Sequence, residues 1–362
     1  MCVIENISLH KFNNFLFATF AVMKPIIAPV DKNLIKKELT KKNFLRPTNR
    51  AGNEIYDITA LEAPNTMREI ARLRELSYRD SGGSTGEEMD IDAMDTMQVP
   101  YHQLIVWDPK AEEIIGGYRY LWLRDCVFTD DGQPYITSAH LFRYTDYFIQ
   151  DYLPYTIELG RAFVQPKYQS HELGMKALFA LDNIWDGLGA IIYNHPEVKY
   201  LIGKVTIYPS YDDVSRNLIY AYLRRFCNDD KGLFFPYNPI DISTEGQRIA
   251  DIVFEGSDPT HNFHLLMKAV RARGAVVPPM FSAYLNLTPK LRFFGNAVND
   301  ELSDVYETGI MVGVEDIYEE KRSRYIGVYI DYINNFISAQ RNRNRLLRQE
   351  RKLRRDREMT KE

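Results

Sequence analysis

Apolar residues recur at two different periods along this chain, and the changes of period mark its elements. Met67, Ile70, Leu73, Leu76 and Tyr78 return at three- and four-residue spacing, which predicts a helix over 65–81 capped by Asn65 or Thr66. Gly82-Gly83 stops it, and an acidic loop follows over 87–95 (EEMDIDAMD). Residues 102–107 and 113–123 are apolar runs of strand length on either side of an Asp108-Pro109 turn. Residues 130–134 form a loop. Residues 157–164 predict a third strand, closed by Pro166, and a long helix runs over about 172–193. A strand over 200–207, helices over 215–226 and 263–273 (the second with Gly274 past its end) and a buried strand over 305–314 complete the pattern.

This order predicts an α/β fold: a mixed sheet flanked by helices, with a long helix at the C-terminus. The long connection between the 157–164 and 200–207 strands implies a parallel crossover. Residues 24–55 are Lys/Asn-rich and weakly patterned, so 1–55 read as an extension, 56–315 as the main domain and 316–362 as a helical extension. In the last of these Tyr325, Val328, Tyr329, Tyr332, Ile333, Phe336 and Ile337 form an apolar stripe. From Arg341 onward the helix is nearly all charge. It reads either as a docked helix with a solvated end or as a basic handle for an acidic protein or anionic lipid. Residues 15–23 (FLFATFAVM) faintly resemble a signal h-region, and Met23 offers a second start.

Composition sharpens this picture where it is uneven. The 362 residues are 45% hydrophobic and 26% charged, which excludes a disordered or low-complexity chain. The net charge of −4 hides a basic tail, since residues 341–362 hold 10 Lys/Arg against 4 Asp/Glu. No apolar stretch is long enough to span a bilayer, so a pore is excluded as a mode of action. Cys2, Cys126 and Cys227 lie far apart, which predicts neither a disulfide framework nor a metal site and suits a reducing cytoplasm.

The sequence lacks a P-loop, a GxGxxG, a G-x-S-x-G elbow and an HExxH, and its seven histidines do not cluster. A metalloenzyme and a serine hydrolase are therefore not expected, and no nucleic-acid partner is indicated. The chemistry-bearing residues that remain are Glu158 and Arg161 inside an apolar strand, followed by 168–174 (YQSHELG) opening a helix. Charges in a buried strand need partners, so a structural ion pair and a catalytic site both fit. Gly160 between them suggests a bulge that re-aims one side chain.

This strand, loop and helix resemble the core of the GNAT acyltransferase superfamily. The resemblance implies a fourth strand splayed from its neighbour, a thioester donor in the cleft, and donor phosphates on the backbone N–H groups of the next loop and helix. Against the usual [RQ]-x-x-G-x-[GA] loop, Gln169 and Gly174 fit, while Glu172 stands where the first glycine belongs. That departure weakens the case for a coenzyme A pyrophosphate and counts less against an acyl carrier protein, whose phosphopantetheine arm carries one phosphodiester.

The chain is more closely similar to acyl-carrier-protein-dependent N-acyltransferases that make lipoamino acids, the ornithine-lipid and glycine-lipid synthases, some of which carry the name hemolysin-like. The shared segments are Leu73-Arg74, Ser77-Tyr78-Arg79, 89–95, 102–107, 116–121, 158–166 (ELGRAFVQP), 200–203, 265–279 and 307–310, covering roughly residues 65–315. A more distant likeness to acyl-homoserine-lactone synthases falls on Arg74, on Asp92 and Asp95, on Arg119, and on Glu158 with Arg161, without that family's tryptophan. The resemblance implies transfer of a long, 3-hydroxylated acyl chain from acyl carrier protein (or coenzyme A) to the amine of glycine or ornithine. No permanently bound cofactor is implied, and a separate O-acyltransferase would act next.

Within this reading Glu158 is the first choice of base, and Asp92 or Asp95 the second. Backbone N–H groups near Ala162–Val164 would hold the oxyanion, and Arg119 or Arg161 the acceptor carboxylate. Asp90 or Asp92 would meet an ornithine side chain. Arg74, Phe163, Val164, Gln169 and Gly174 would serve the donor, with Trp185 and the 118–122 aromatics along the fatty chain. Lys204, Arg224, Arg225 or the basic tail would meet an acidic carrier, and the tail suits a peripheral contact with anionic membrane. A signal synthase using S-adenosylmethionine and a non-catalytic carrier-binding protein are the alternatives.

Overall fold

The computed structural model describes residues 23–169 and 175–359. In chain order the elements are α1 (Lys32–Glu38), β1 (Phe44–Pro47), β2 (Glu54–Ile58), α2 (Pro64–Ser81), α3 (Ala93–Thr96), β3 (His102–Asp108), β4 (Glu113–Trp122) and β5 (Phe142–Tyr144). Then come α4 (Asp146–Asp151), β6 (Thr156–Val164), α5 (Met175–Asn194), β7 (Tyr200–Ile207), α6 (Asp213–Phe226), β8 (Phe234–Pro236), α7 (Thr244–Val253) and α8 (Pro259–Ala272). The last are α9 (Pro279–Leu285), β9 (Arg292–Asn299), β10 (Val305–Gly313), α10 (Glu319–Arg322) and α11 (Val328–Met359).

Eight strands form one sheet in the order β1-β2-β3-β4-β6-β7-β10-β9, all antiparallel except β6 with β7. β3 and β4 read as continuous apolar runs because both faces of the sheet are covered. Leu104 and Val106 pack with Ile184 and Leu188 of α5, whereas Ile105 and Trp107 pack with Met67 and Ile70 of α2. A third cluster, around Phe142, Phe148, Phe234 and Phe294, joins the sheet to a small two-stranded antiparallel sheet of β5 and β8.

One feature of the sheet positions everything else. β6 and β7 pair in parallel only from Thr156↔Tyr200 to Leu159↔Gly203. Beyond that point β6 continues against β4, and β7 against β10, so the two strands diverge. The divergence coincides with a bulge in β6, where the register against β4 shifts between Gly117↔Phe163 and Arg119↔Gly160. Arg161, not Gly160, carries the left-handed backbone at φ 50. A non-glycine residue held there is strained unless its surroundings fix it, and such strain concentrates at functional sites.

Three expectations need correction. Residues 24–55 are not a loose extension: they supply α1, the edge strand β1 and the start of β2. α2 is not capped by its own Asn65 or Thr66. The Glu38 carboxylate accepts from both of their backbone N–H groups, at 3.0 and 2.7 Å. The apolar stripe of the C-terminal helix is docked only at its start, where Tyr329 is buried, while Val328, Phe336 and Ile337 are exposed. The apolar run before Met23, and Gly174 with Glu172, lie outside the described residues.

Candidate active site

The splay opens a cavity of about 440 Å³ between β6 and β7. Leu159, Phe163 and Val164 of β6, Trp185 and Leu188 of α5 and Tyr284 of α9 make it chiefly apolar. Of the 118–122 aromatics only Tyr118 lines it. The Tyr120 hydroxyl donates to Asp57 and the Trp122 indole to the Pro154 carbonyl, both as ordinary core. The Tyr118 hydroxyl is buried with no hydrogen-bond partner among the described residues. Also in its wall, the Tyr78 hydroxyl donates to the Ala162 carbonyl at 3.2 Å, and the exposed Gln169 donates to the Val164 carbonyl at 2.5 Å.

A second cavity of about 430 Å³ lies beside the first and has more charged side chains in its wall. Asp92, Arg119, Thr137, His140, Arg161 and Lys204 are in its wall. Thr137, Arg161, Lys204 and Leu302 line both cavities, so the two spaces meet there.

The acidic loop and three arginines form one buried network behind the meeting point. Arg74 of α2 pairs with Asp95 at 2.9 Å. Arg119 of β4 holds Asp92 with two bonds of 2.7 and 2.8 Å and reaches Asp95 at 3.1 Å. Arg161 lies 3.0 Å from Asp90 and 3.6 Å from Asp92. Asp92 and Asp95 also cap each other's backbone at the start of α3, which fixes the loop. Burial would raise the Asp92 carboxyl, but its bonds to Arg119, with the charges of Arg119, Arg161 and Arg74, hold it well below the usual carboxylate range. Arg74 and Arg119 are fully buried, so their forks are committed to these carboxylates. Arg161 and Lys204 are the cations that border both cavities.

Glu158 sits on β6 in the wall of the apolar cavity and is 1% exposed. It accepts from the backbone N–H groups of Thr137 (3.1 Å) and Ser138 (2.8 Å), and from the hydroxyls of Ser138 and Tyr101. Four donors use its lone pairs and lock residues 137–138 in place. The carbonyl of Thr137 then receives two further groups, the Lys204 ammonium at 3.4 Å and Nδ1 of His140 at 2.6 Å. Burial, the largest effect, pushes Lys204 down. Glu307, 3.8 Å away, counters it, while Arg161 adds to it. His140 is also pushed down, by partial burial and then by the Lys204 charge.

The structure therefore gathers Glu158, Arg161, Asp92, Asp95, Arg119 and Arg74 around one point. Phe163, Val164 and Gln169 lie along the cleft, and Gly174 falls outside the described residues. Lys204 is in the site and not on a docking surface. Tyr101, Ser138 and His140 were not legible beforehand, because they sit on connections without periodicity and reach the site only through the fold. Among the described residues no group of His, Cys, Asp and Glu is arranged to hold a metal ion.

Comparison with known proteins agrees with this geometry. Residues 73–178 match the family described as an acetyltransferase (GNAT) domain. A glycine N(alpha)-acyltransferase of Bacteroides thetaiotaomicron is 48% identical over 309 residues, covering 85% of this chain and 91% of that protein. A protein of the same name from Phocaeicola vulgatus is 46% identical over 308 residues, 85% of this chain and 94% of its own length. No solved structure matches the chain significantly. With such relatives matched over nearly their whole length and an acetyltransferase domain matched within it, the chain belongs to the GNAT N-acyltransferases.

Proposed function

We propose that this enzyme transfers a long acyl chain from a phosphopantetheine thioester to the amine of glycine, giving an N-acylglycine. The observation that carries this reading is the meeting of an apolar and a charged cavity at Thr137, Arg161 and Lys204. The fatty chain takes the apolar space, and the thioester carbonyl lies against β6. Backbone N–H groups along Ala162–Val164, on the edge that β7 leaves open, are suited to a developing oxyanion. The unpartnered Tyr118 hydroxyl favours an acyl chain that bears a hydroxyl of its own.

Glycine enters the charged cavity with its carboxylate on Lys204 and Arg161. Arg119, an earlier candidate for that clamp, is spent on Asp92 and Asp95. The same pairing bears on the acceptor: Asp90 and Asp92 are already matched by arginines, so neither is spare for an ornithine ammonium. The relatives' name points to the same acceptor. Acyl carrier protein is the donor this reading favours, since Arg341 and Arg343 are exposed on α11 and complement an acidic partner. A single-chain lipoamino acid still has few sites for a second acyl group, so an O-acyltransferase acting on a chain hydroxyl is the class of reaction that would consume it.

The test is an acceptor competition. Purified protein is given acyl carrier protein thioester with glycine and ornithine together, and products are read by mass spectrometry. N-acylglycine in large excess is expected. N-acylornithine as the main product would overturn the acceptor assignment, and no acylated amino acid from folded protein would overturn the reading itself.

A further inference from the structure

An amino-acid amine reaches the site as an ammonium ion and must lose a proton before it can attack. Glu158 is poorly placed to take it. Its carboxylate is almost completely buried and is occupied by two backbone N–H groups and two hydroxyls. Proton acceptance there would require displacing donors that hold the loop. Asp92 is held by Arg119, which weakens it as a base, and both oxygens of Asp95 are occupied within the arginine network.

His140 stands differently. Its Nδ1 lies 2.6 Å from the Thr137 carbonyl, an atom that can only accept, so Nδ1 carries the hydrogen and Nε2 keeps its lone pair. The ring is in the wall of the acceptor cavity and shares that carbonyl with Lys204, the cation at the cavity junction. Nε2 lies 3.4 Å from Asn299 Oδ1 and 3.9 Å from the Glu301 carboxylate. Both are acceptors, so both become favourable partners once Nε2 gains a proton. The Asn299 amide is oriented for this, because its Nδ2 donates to Glu307 at 3.3 Å.

Resting on the function proposed above, we propose that His140 is the general base of the reaction, taking the ammonium proton of the acceptor at Nε2. The freed amine forms its bond to the thioester carbonyl carbon, giving a tetrahedral adduct with a negative oxygen and a positive nitrogen. Collapse breaks the C–S bond, and the leaving thiolate takes the remaining extra proton from nitrogen. The products are the amide and the free thiol, and the first proton passes from His140 to solvent past Glu301. In this scheme Glu158 is a positioning residue: it fixes Thr137, whose carbonyl sets the tautomer of His140. The charged groups acting on the ring are Lys204 of β7 and Glu301 after β9, and Asp92, Arg119, Asp131 and Arg161 share the wall of the same cavity. Partial burial, and then the Lys204 charge, push the imidazole down, which favours its neutral form.

Two variants separate the base from a merely structural histidine. His140→Asn keeps a donor for the Thr137 carbonyl and removes the base. With the purified enzyme, carrier-bound acyl thioester and glycine, it should lose about 100-fold in kcat with little change in KM for the thioester. The acid limb of the wild-type rate should disappear, the residual rate rising steadily with pH. His140→Gly should regain activity with added imidazole. A wild-type enzyme that makes N-acylglycine, beside a His140→Asn enzyme with unchanged kcat and the same acid limb, overturns His140 and leaves the function standing. A wild-type enzyme that makes none overturns the function first.

Discussion

Lys204 shows how burial turns an ordinary residue into a candidate for substrate binding. Its ammonium has one long bond to a carbonyl and one carboxylate 3.8 Å away, so it is under-satisfied where an acceptor carboxylate would lie. A charge-assisted bond of that kind contributes roughly 1.5–3 kcal/mol. Lys204→Met should therefore raise KM for glycine by about 10- to 100-fold while KM for the acyl thioester changes little. An unchanged glycine KM in steady-state kinetics would move the carboxylate elsewhere. Glu158→Gln has a different expected signature. The amide NH2 replaces one carboxylate oxygen, so it sets hydrogens against either the Thr137 or the Ser138 N–H group, and the protein should lose about 1–3 kcal/mol in denaturant melts as well as activity. Loss of activity with undiminished stability and an altered pH limb would instead mark Glu158 as a base.

At the scale of elements, the bulged β6 and the acidic loop were partly legible in the sequence. The apolar periods of 157–164 and 200–207, and the long connection between them, identify two neighbouring parallel strands, because burial on both faces enforces continuous apolar runs. The Glu-x-x-Arg strand also announces itself, since two charges in such a run need partners. What sequence could not show is which partners. Arg161 meets Asp90 and Asp92 only because the bulge turns its backbone left-handed, and Glu158 meets Thr137 and Ser138 only because a patternless connection folds over β6. Close strand packing beside the bulge has its own consequence. A Cβ at Gly116 would lie 2.4 Å from the Phe163 carbonyl oxygen, so Gly116→Ala must displace β6 backbone. The cost should be about 1–3 kcal/mol, with a raised KM for the acyl donor. The loop carries a pH signature. The folded-state carboxyl of Asp92 lies below its unfolded value, so its contribution is present above about pH 3.9 and is lost as pH falls through the folded value. Acid unfolding of Asp92→Asn should accordingly be shallower than that of the wild type below about pH 4. Identical slopes would contradict the pairing.

Across the whole molecule, an acidic body carries a basic C-terminal helix. α5 lets the end of the chain dock: Gly189 has no Cβ where one would lie 2.5 Å from the Tyr325 carbonyl, and Arg46 stacks on Tyr329. Beyond that contact the helix leaves the domain, with Leu346 and Leu347 exposed. Among the described residues no helix is long and apolar enough to cross a membrane. Removing residues 341–362 should leave the melting temperature nearly unchanged, raise KM for acyl carrier protein several-fold, and flatten the salt dependence of the reaction. An unaltered KM would assign the tail to another surface. The most direct test of the site as a whole is a crystal structure with glycine and a non-hydrolysable acyl-pantetheine thioether. The acyl chain is expected between β6 and β7, with the reacting carbon beside Ala162–Val164 and the glycine carboxylate on Lys204 and Arg161. A chain lodged in another cavity, or glycine bound away from Thr137, Arg161 and Lys204, would contradict the meeting of two substrates at that point.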